Sequence, residues 1–144
     1  MRFAAKWGFV ALGGVLAALS IAWTAAAAPA APRSKTIASY CSSSGDVCYG
    51  IFNRSGKVHL QITTAARYFK RYSLCVRLLP PASDPVHAQR CGSFPVFRQG
   101  GPTWGSSVNY ARQYPVAGAG RYRVTWKLGS SPLGRPLYFR LPLS

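Results

Sequence analysis

The segment Gly120-Arg121-Tyr122-Arg123-Val124-Thr125-Trp126-Lys127-Leu128 decides the reading of the chain. Tyr122, Val124, Trp126 and Leu128 alternate with Arg121, Arg123, Thr125 and Lys127. In a strand one set faces a core and the other faces water, whereas a helix would scatter both around its circumference. Shorter runs of the same period precede and follow it. Val47 to Phe52 reads as a first strand, and Asn53-Arg54-Ser55-Gly56 turns it into Lys57 to Thr64, where Val58, Leu60 and Ile62 point one way. Asn53-Arg54-Ser55 also matches a glycosylation sequon, but Gly56 beside it makes a hairpin turn the better reading.

Tyr72 to Leu79 alternates again, until Pro80-Pro81 stops it and Asp84-Pro85 marks a turn. A returning strand from Ala88 to Phe97 pairs Cys75 opposite Cys91 and Ser73 beside Ser93, although Arg90 then lies opposite Val76 on the apolar face. Gln99 to Pro102 reads as a loop, Ser106 to Tyr114 as a further strand, and Leu137 to Leu143 as the last. Residues 31–39 carry no periodic pattern and read as a flexible lead-in. The expectation is an all-β antiparallel sandwich of about seven strands over 40–144, with no internal repeat and no helix past the leader.

The run Gly120 to Trp126 also resembles the penultimate strand of an immunoglobulin-like β-sandwich, in which a tyrosine two residues before an inward core position pins the corner through its hydroxyl. Immunoglobulin domains carry a cysteine where this chain has Val124, so the resemblance is to the broader sandwich family, without the inter-sheet disulfide. Together with Gly45-Asp46-Val47-Cys48-Tyr49-Gly50 and Leu74-Cys75-Val76-Arg77, the run is similar to small secreted proteins of GC-rich Gram-positive bacteria. That likeness implies a location and a fold and carries no function with it.

Residues 1–30 read as a signal peptide, a helix in the leader preceding the domain. Arg2 and Lys6 give a positive start, Trp7 to Trp23 an apolar run, and Thr24 to Ala31 a series of small residues suited to cleavage before Ala28 or Ala31. Uncleaved, the same segment is long enough to anchor the chain in a bilayer; either way the domain is exported. Export explains the cysteines. Cys41, Cys48, Cys75 and Cys91 are separated by six, 26 and 15 residues, which fits two local disulfides, Cys41–Cys48 and Cys75–Cys91, and not the close pairs of a zinc site.

Composition narrows the chemistry. The 144 residues include 18 Lys+Arg and only two carboxylate side chains, Asp46 and Asp84, for a net charge of +16. Without residues 1–30 the balance is +14 over 114 residues, beyond the roughly 2 to 8 charges that keep a small domain soluble. Paired-carboxylate catalysis and multi-carboxylate metal sites have almost no ligands to draw on, and no Gly-x-Ser-x-Gly elbow accompanies His59 or His87. No cofactor or metal is implied, and Gly100-Gly101 and Gly118-Ala119-Gly120 read as turns between strands rather than phosphate cradles.

The excess of cations points to a polyanion. Arg67-Tyr68-Phe69-Lys70-Arg71-Tyr72 mixes charge with rings on a loop, Trp104 offers a second ring, and Arg121, Arg123 and Lys127 line the outer side of one strand. Arg67, Tyr68, Lys70, Arg71, Trp104, Arg121, Arg123 and Lys127 are therefore the candidate binding residues, for an anionic wall polymer, a polyanionic glycan or single-stranded nucleic acid. Against this stands a blander reading in which Tyr72 and Phe69 belong to the core, the cations form a solvated rim and Trp104 plugs one end of the sandwich. The sequence thus suggests a non-catalytic binding module, secreted or associated with the cell envelope, or else a secreted effector that acts on another protein through its loops, as an inhibitor of an extracellular enzyme or an antibacterial factor.

Overall fold

The computed structural model describes residues 34–80, 89–114 and 118–144; the leader, His87 and Asp84 lie outside them. Ten strands and one helical turn follow one another: β1 (Ser34–Cys41), β2 (Val47–Arg54), β3 (Lys57–Thr64), β4 (Arg71–Leu79), β5 (Arg90–Pro95), β6 (Phe97–Gly100), β7 (Thr103–Asn109), α1 (Tyr110–Gln113), β8 (Gly120–Leu128), β9 (Ser131–Pro132) and β10 (Leu137–Leu141). One sheet has the order β1-β2-β3-β7-β6, the other β10-β8-β4-β5, with β9 added to β8. Every pairing is antiparallel. The chain changes sheet after β3, after β5 and after β7, so the two sheets are interleaved along the sequence.

Alternation builds the core between them. In β3, Val58, Leu60, Ile62 and Thr64 are buried while Lys57, His59, Gln61 and Thr63 face outward; in β8, Tyr122, Val124 and Trp126 are buried. Trp126 stacks on Tyr49 across the sandwich, with ring centroids 4.5 Å apart. Large rings need an outlet for their polar atoms. The Tyr49 hydroxyl donates to the Arg135 carbonyl at 2.8 Å and the Tyr114 hydroxyl to the Leu74 carbonyl at 2.6 Å. The Tyr72 and Ser106 hydroxyls pair at 2.7 Å between the sheets. The Tyr122 hydroxyl donates to the Gly118 carbonyl at 2.5 Å, which fixes the chain as it enters β8. Burial pushes the phenols of Tyr49 and Tyr72 up to about 12 and those of Tyr110 and Tyr114 further still.

Both disulfides form as the spacing predicts. Cys41–Cys48 ties β1 to β2, and Cys75–Cys91 ties β4 to β5 at directly opposed positions. Ser73 faces Ser93 and Val76 faces Arg90 in the expected register. The β2–β3 hairpin is also where the sequence puts it. Ser55 and Gly56 have φ of 51° and 77°, and Asn53 Oδ1 accepts the Gly56 N–H at 2.9 Å, so the asparagine side chain is part of the turn.

Four expectations are corrected. The lead-in at 31–39 is strand from Ser34 onward, paired with β2 through a register shift between Thr36 and Ala38 that breaks its alternation. The strand expected over Ala88–Phe97 is two, because the chain crosses at buried Val96 from β5 in one sheet to β6 in the other. The loop expected at Gln99–Pro102 begins later, since β6 runs to Gly100. The strand expected over Ser106–Tyr114 begins earlier, at Thr103, and gives way to α1, whose N-cap Asn109 accepts the Arg112 N–H at 3.2 Å. Among the described residues ten strands stand where about seven were expected.

Candidate functional site

The register of the β10-β8-β4-β5 sheet collects charge on its outer face. Arg71, Ser73, Cys75, Arg77 and Leu79 of β4 share that face with Arg121, Arg123, Thr125 and Lys127 of β8 and with Tyr138 and Arg140 of β10. Six of these are cations: Arg71, Arg77, Arg121, Arg123, Lys127 and Arg140. Asp46, the one carboxylate side chain among the described residues, sits in the turn between β1 and β2 of the other sheet. The outer face of that other sheet is chemically different, with Arg54 and Lys57 at one end, the Cys41–Cys48 disulfide at the other, and hydroxyl, amide, imidazole and phenyl groups between them.

The basic face has two ends. Arg71 and Lys127 lie where β4 begins and β8 finishes, beside the 65–70 loop. At the opposite end Arg77 is directly opposite Arg123, and Arg121 is directly opposite Arg140. Like charges directly opposed across a sheet destabilise it by a few tenths of a kcal/mol, up to about 1 kcal/mol. Arg77 Nε is buried and has no hydrogen-bond partner among the described residues, a feature that costs roughly 1 to 3 kcal/mol when the site is dry. The Arg121 guanidinium lies 4.5 Å from the centre of the Tyr138 ring, which shields one face of that ring.

The structure distributes the sequence candidates unequally. It brings Arg71, Arg121, Arg123 and Lys127 together on this face. Arg71 is the first residue of β4 and not a loop residue; its guanidinium donates to Ser93 Oγ at 3.1 Å and to the Ser93 carbonyl at 2.7 Å, joining β4 to β5. Trp104 is likewise on a strand, in β7 opposite Thr64, half-buried and packed on the core; the flanking Gly101-Pro102 and Gly105 give its surroundings the look of a loop. Gly105 is glycine for a strand reason, since a Cβ there would run into the Ile62 carbonyl oxygen. The Arg67 guanidinium lies 4.9 Å from the centre of the Trp104 ring, so the cation covers that ring.

Phe69 is half-buried with its ring edge toward Tyr72 at 6.5 Å, and Tyr72 is core. Of the 67–72 motif, Tyr68, 54% exposed, and Lys70 remain directed to solvent from the loop. Sequence reading missed Arg77, Arg140 and Tyr138. The alternation of Leu137, Phe139 and Leu141 already turns Tyr138 and Arg140 outward, but which strands stand beside β8 is a tertiary fact.

His59 stands apart, on the other sheet, opposite Phe52 and Asn109, with its Nδ1 3.4 Å from Ser107 Oγ. Partial burial, then the Arg54 and Lys57 charges, hold its pKa below the usual histidine value. Comparison of the chain with family models, with curated proteins and with solved structures gives no match.

Proposed function

We propose that the chain is an exported, non-catalytic module that holds an anionic polymer against the outer face of the β10-β8-β4-β5 sheet. The observation that carries the reading is six cations on one sheet face, with the single described carboxylate side chain on the other sheet. Such a face attracts a chain of negative charges that comes within about a Debye length of it and gains from the release of the polymer's counterions. Six contacts correspond to a fall of about 4 to 5 in log affinity per unit of log salt. Two disulfides fit an extracellular protein, in keeping with the leader read from residues 1–30.

The strand orders β2-β3-β7-β6 and β10-β8-β4-β5, with three changes of sheet, support an immunoglobulin-like assignment, as does the Tyr122 hydroxyl bond to the Gly118 carbonyl. Val124 occupies the place of the immunoglobulin cysteine.

Retention of the protein on isolated cell envelope and on soluble polyanions, measured over a salt series, tests the proposal. Retention that falls steeply with salt supports it; no retention at about 50 mM salt, where six phosphate contacts bind strongly, overturns it. A second reading, an effector that docks on another protein, draws on Phe97, 59% exposed beside a groove of about 230 Å³ lined by Phe94, Pro95 and Val108. A stoichiometric, salt-tolerant complex with one protein would favour it.

A further inference from the structure

We propose that Arg77, Arg121, Arg123 and Arg140 form two guanidinium clamps that select consecutive phosphodiesters of a base-free polyol-phosphate polymer. The inference rests on the polyanion reading and narrows it. Each clamp is a directly opposed cross-strand pair, Arg77 with Arg123 and Arg121 with Arg140. The paired strands stand about 5 Å apart, and the two pairs recur along β8 at two residues, or roughly 7 Å. A slim polymer laid along β8 therefore meets two guanidinium groups at each of two successive positions.

Residue type separates this end of the face from mere charge. Its four cations are all arginine, whereas the one lysine of the face, Lys127, lies at the far end. A guanidinium presents a planar fork of donors that grips two oxygens at once, while an ammonium acts as a point charge. The tetrahedral phosphodiester sends its oxygens out of one plane, so each arginine of a clamp takes its own. Arg77 Nε adds an independent sign: among the described residues it and Trp126 Nε1 in the core are the buried donors without a partner, and Arg77 Nε is the one that lies on this face. Arg77 is only partly buried, so the outer edge of its fork stays open to a ligand.

Two features favour a polymer without bases or bulky rings. Single-stranded nucleic acid is held by stacking on free aromatic faces. The face has one exposed ring, Tyr138, and Arg121 lies over it; Trp104 and Tyr68 belong to the rim and the loop. In a polyol phosphate the charge is in the backbone and repeats regularly along a line, whereas the sulfates of a glycan hang from wide sugar rings that the closely spaced strands do not separate.

The test is equilibrium binding of the full chain to poly(glycerol phosphate) of defined length, with heparin and single-stranded DNA of equal charge as comparators. Arg77→Lys with Arg123→Lys keeps the charge and removes the forks. Binding to poly(glycerol phosphate) should weaken by roughly tenfold, with an unchanged salt slope and a melting temperature no lower than that of wild type. If that pair lowers the melting temperature, Arg121→Lys with Arg140→Lys applies the same test to the second clamp. Lysine variants that bind within about twofold of wild type overturn the clamps and leave the polyanion reading standing, because the salt slope survives. Tighter binding of heparin or DNA than of poly(glycerol phosphate) overturns the base-free phosphodiester. Absence of any salt-dependent binding overturns the polyanion reading itself.

Discussion

Replacing Arg123 by glutamate should make the protein more stable and a poorer binder at the same time. Arg123 lies directly opposite Arg77 on one side and Tyr138 on the other, so the wild-type sheet holds a like-charge pair between its two middle strands. Opposite charges in that arrangement contribute about 0.2 to 1 kcal/mol, and like charges cost a similar amount. Because Arg123 is partly exposed, solvent screening places the net gain at about 0.5 to 1 kcal/mol, or a melting temperature higher by roughly 2 to 5 °C for a domain of this size. The new carboxylate also engages Arg77. Two cation contacts are thereby withdrawn from the polymer, and the slope of log affinity against log salt should shrink by about 1.4 to 1.8. Calorimetric melting and binding isotherms on the same preparation measure both. A lower melting temperature together with an unchanged slope would refute both the register-based repulsion and the role of this face.

Removing the Tyr122 hydroxyl in Tyr122→Phe orphans the Gly118 carbonyl and should cost about 1 kcal/mol in denaturant unfolding, with polymer binding unchanged because the ring still fills the core. Replacing Cys75 and Cys91 together by alanine should cost about 3 kcal/mol, the loop-entropy value for a bridge of this span, and the loss should disappear when wild type is measured under reducing conditions. Alkaline unfolding should follow from the buried phenols. The folded pKa of Tyr72 is raised to about 12 from an ordinary value near 10, so stability is intact below pH 10 and is lost as the pH climbs toward 12, by on the order of 2 to 3 kcal/mol for this group. The part of the phenolate absorbance that belongs to the buried tyrosines should then rise with the unfolding transition rather than ahead of it.

Legibility in the sequence followed the strength of each local pattern. The alternation in β8 is plain because its inward side is Tyr122, Val124 and Trp126 and its outward side is almost wholly charged. The β4–β5 register is plain because Cys75 and Cys91 must meet, even at the expense of setting Arg90 across from Val76. β1 is opaque because the shift between Thr36 and Ala38 puts Ile37, Ala38 and Tyr40 out of phase, so no period survives. The β5–β6 change of sheet is opaque because Val96 looks like one more strand residue; only the partner sheet reveals that the chain has crossed. The start of α1 did carry a signal, the N-cap Asn109, overshadowed by the β-forming run before it.

The binding face was half legible for a related reason. Outward Arg121, Arg123 and Lys127 follow from one strand's period, but their opposition to Arg77 and Arg140 depends on β4 and β10 flanking β8. The 67–72 motif shows the converse. Its mixture of charge and rings suggested one site, and the fold separates it into core residues, a cover for Trp104, a bond to Ser93 and two free side chains.

Charge removal on opposite faces tests the basic face most directly. Arg121→Gln with Arg140→Gln takes two cations from the β10-β8-β4-β5 sheet, and Arg54→Gln with Lys57→Gln takes two from the other. Measured against one anionic polymer over the same salt series, the first pair should reduce the slope of log affinity by about 1.4 to 1.8 while the second leaves it unchanged. Equal reductions from both pairs, or a wild-type slope below about 1, would contradict a polymer bound on this face.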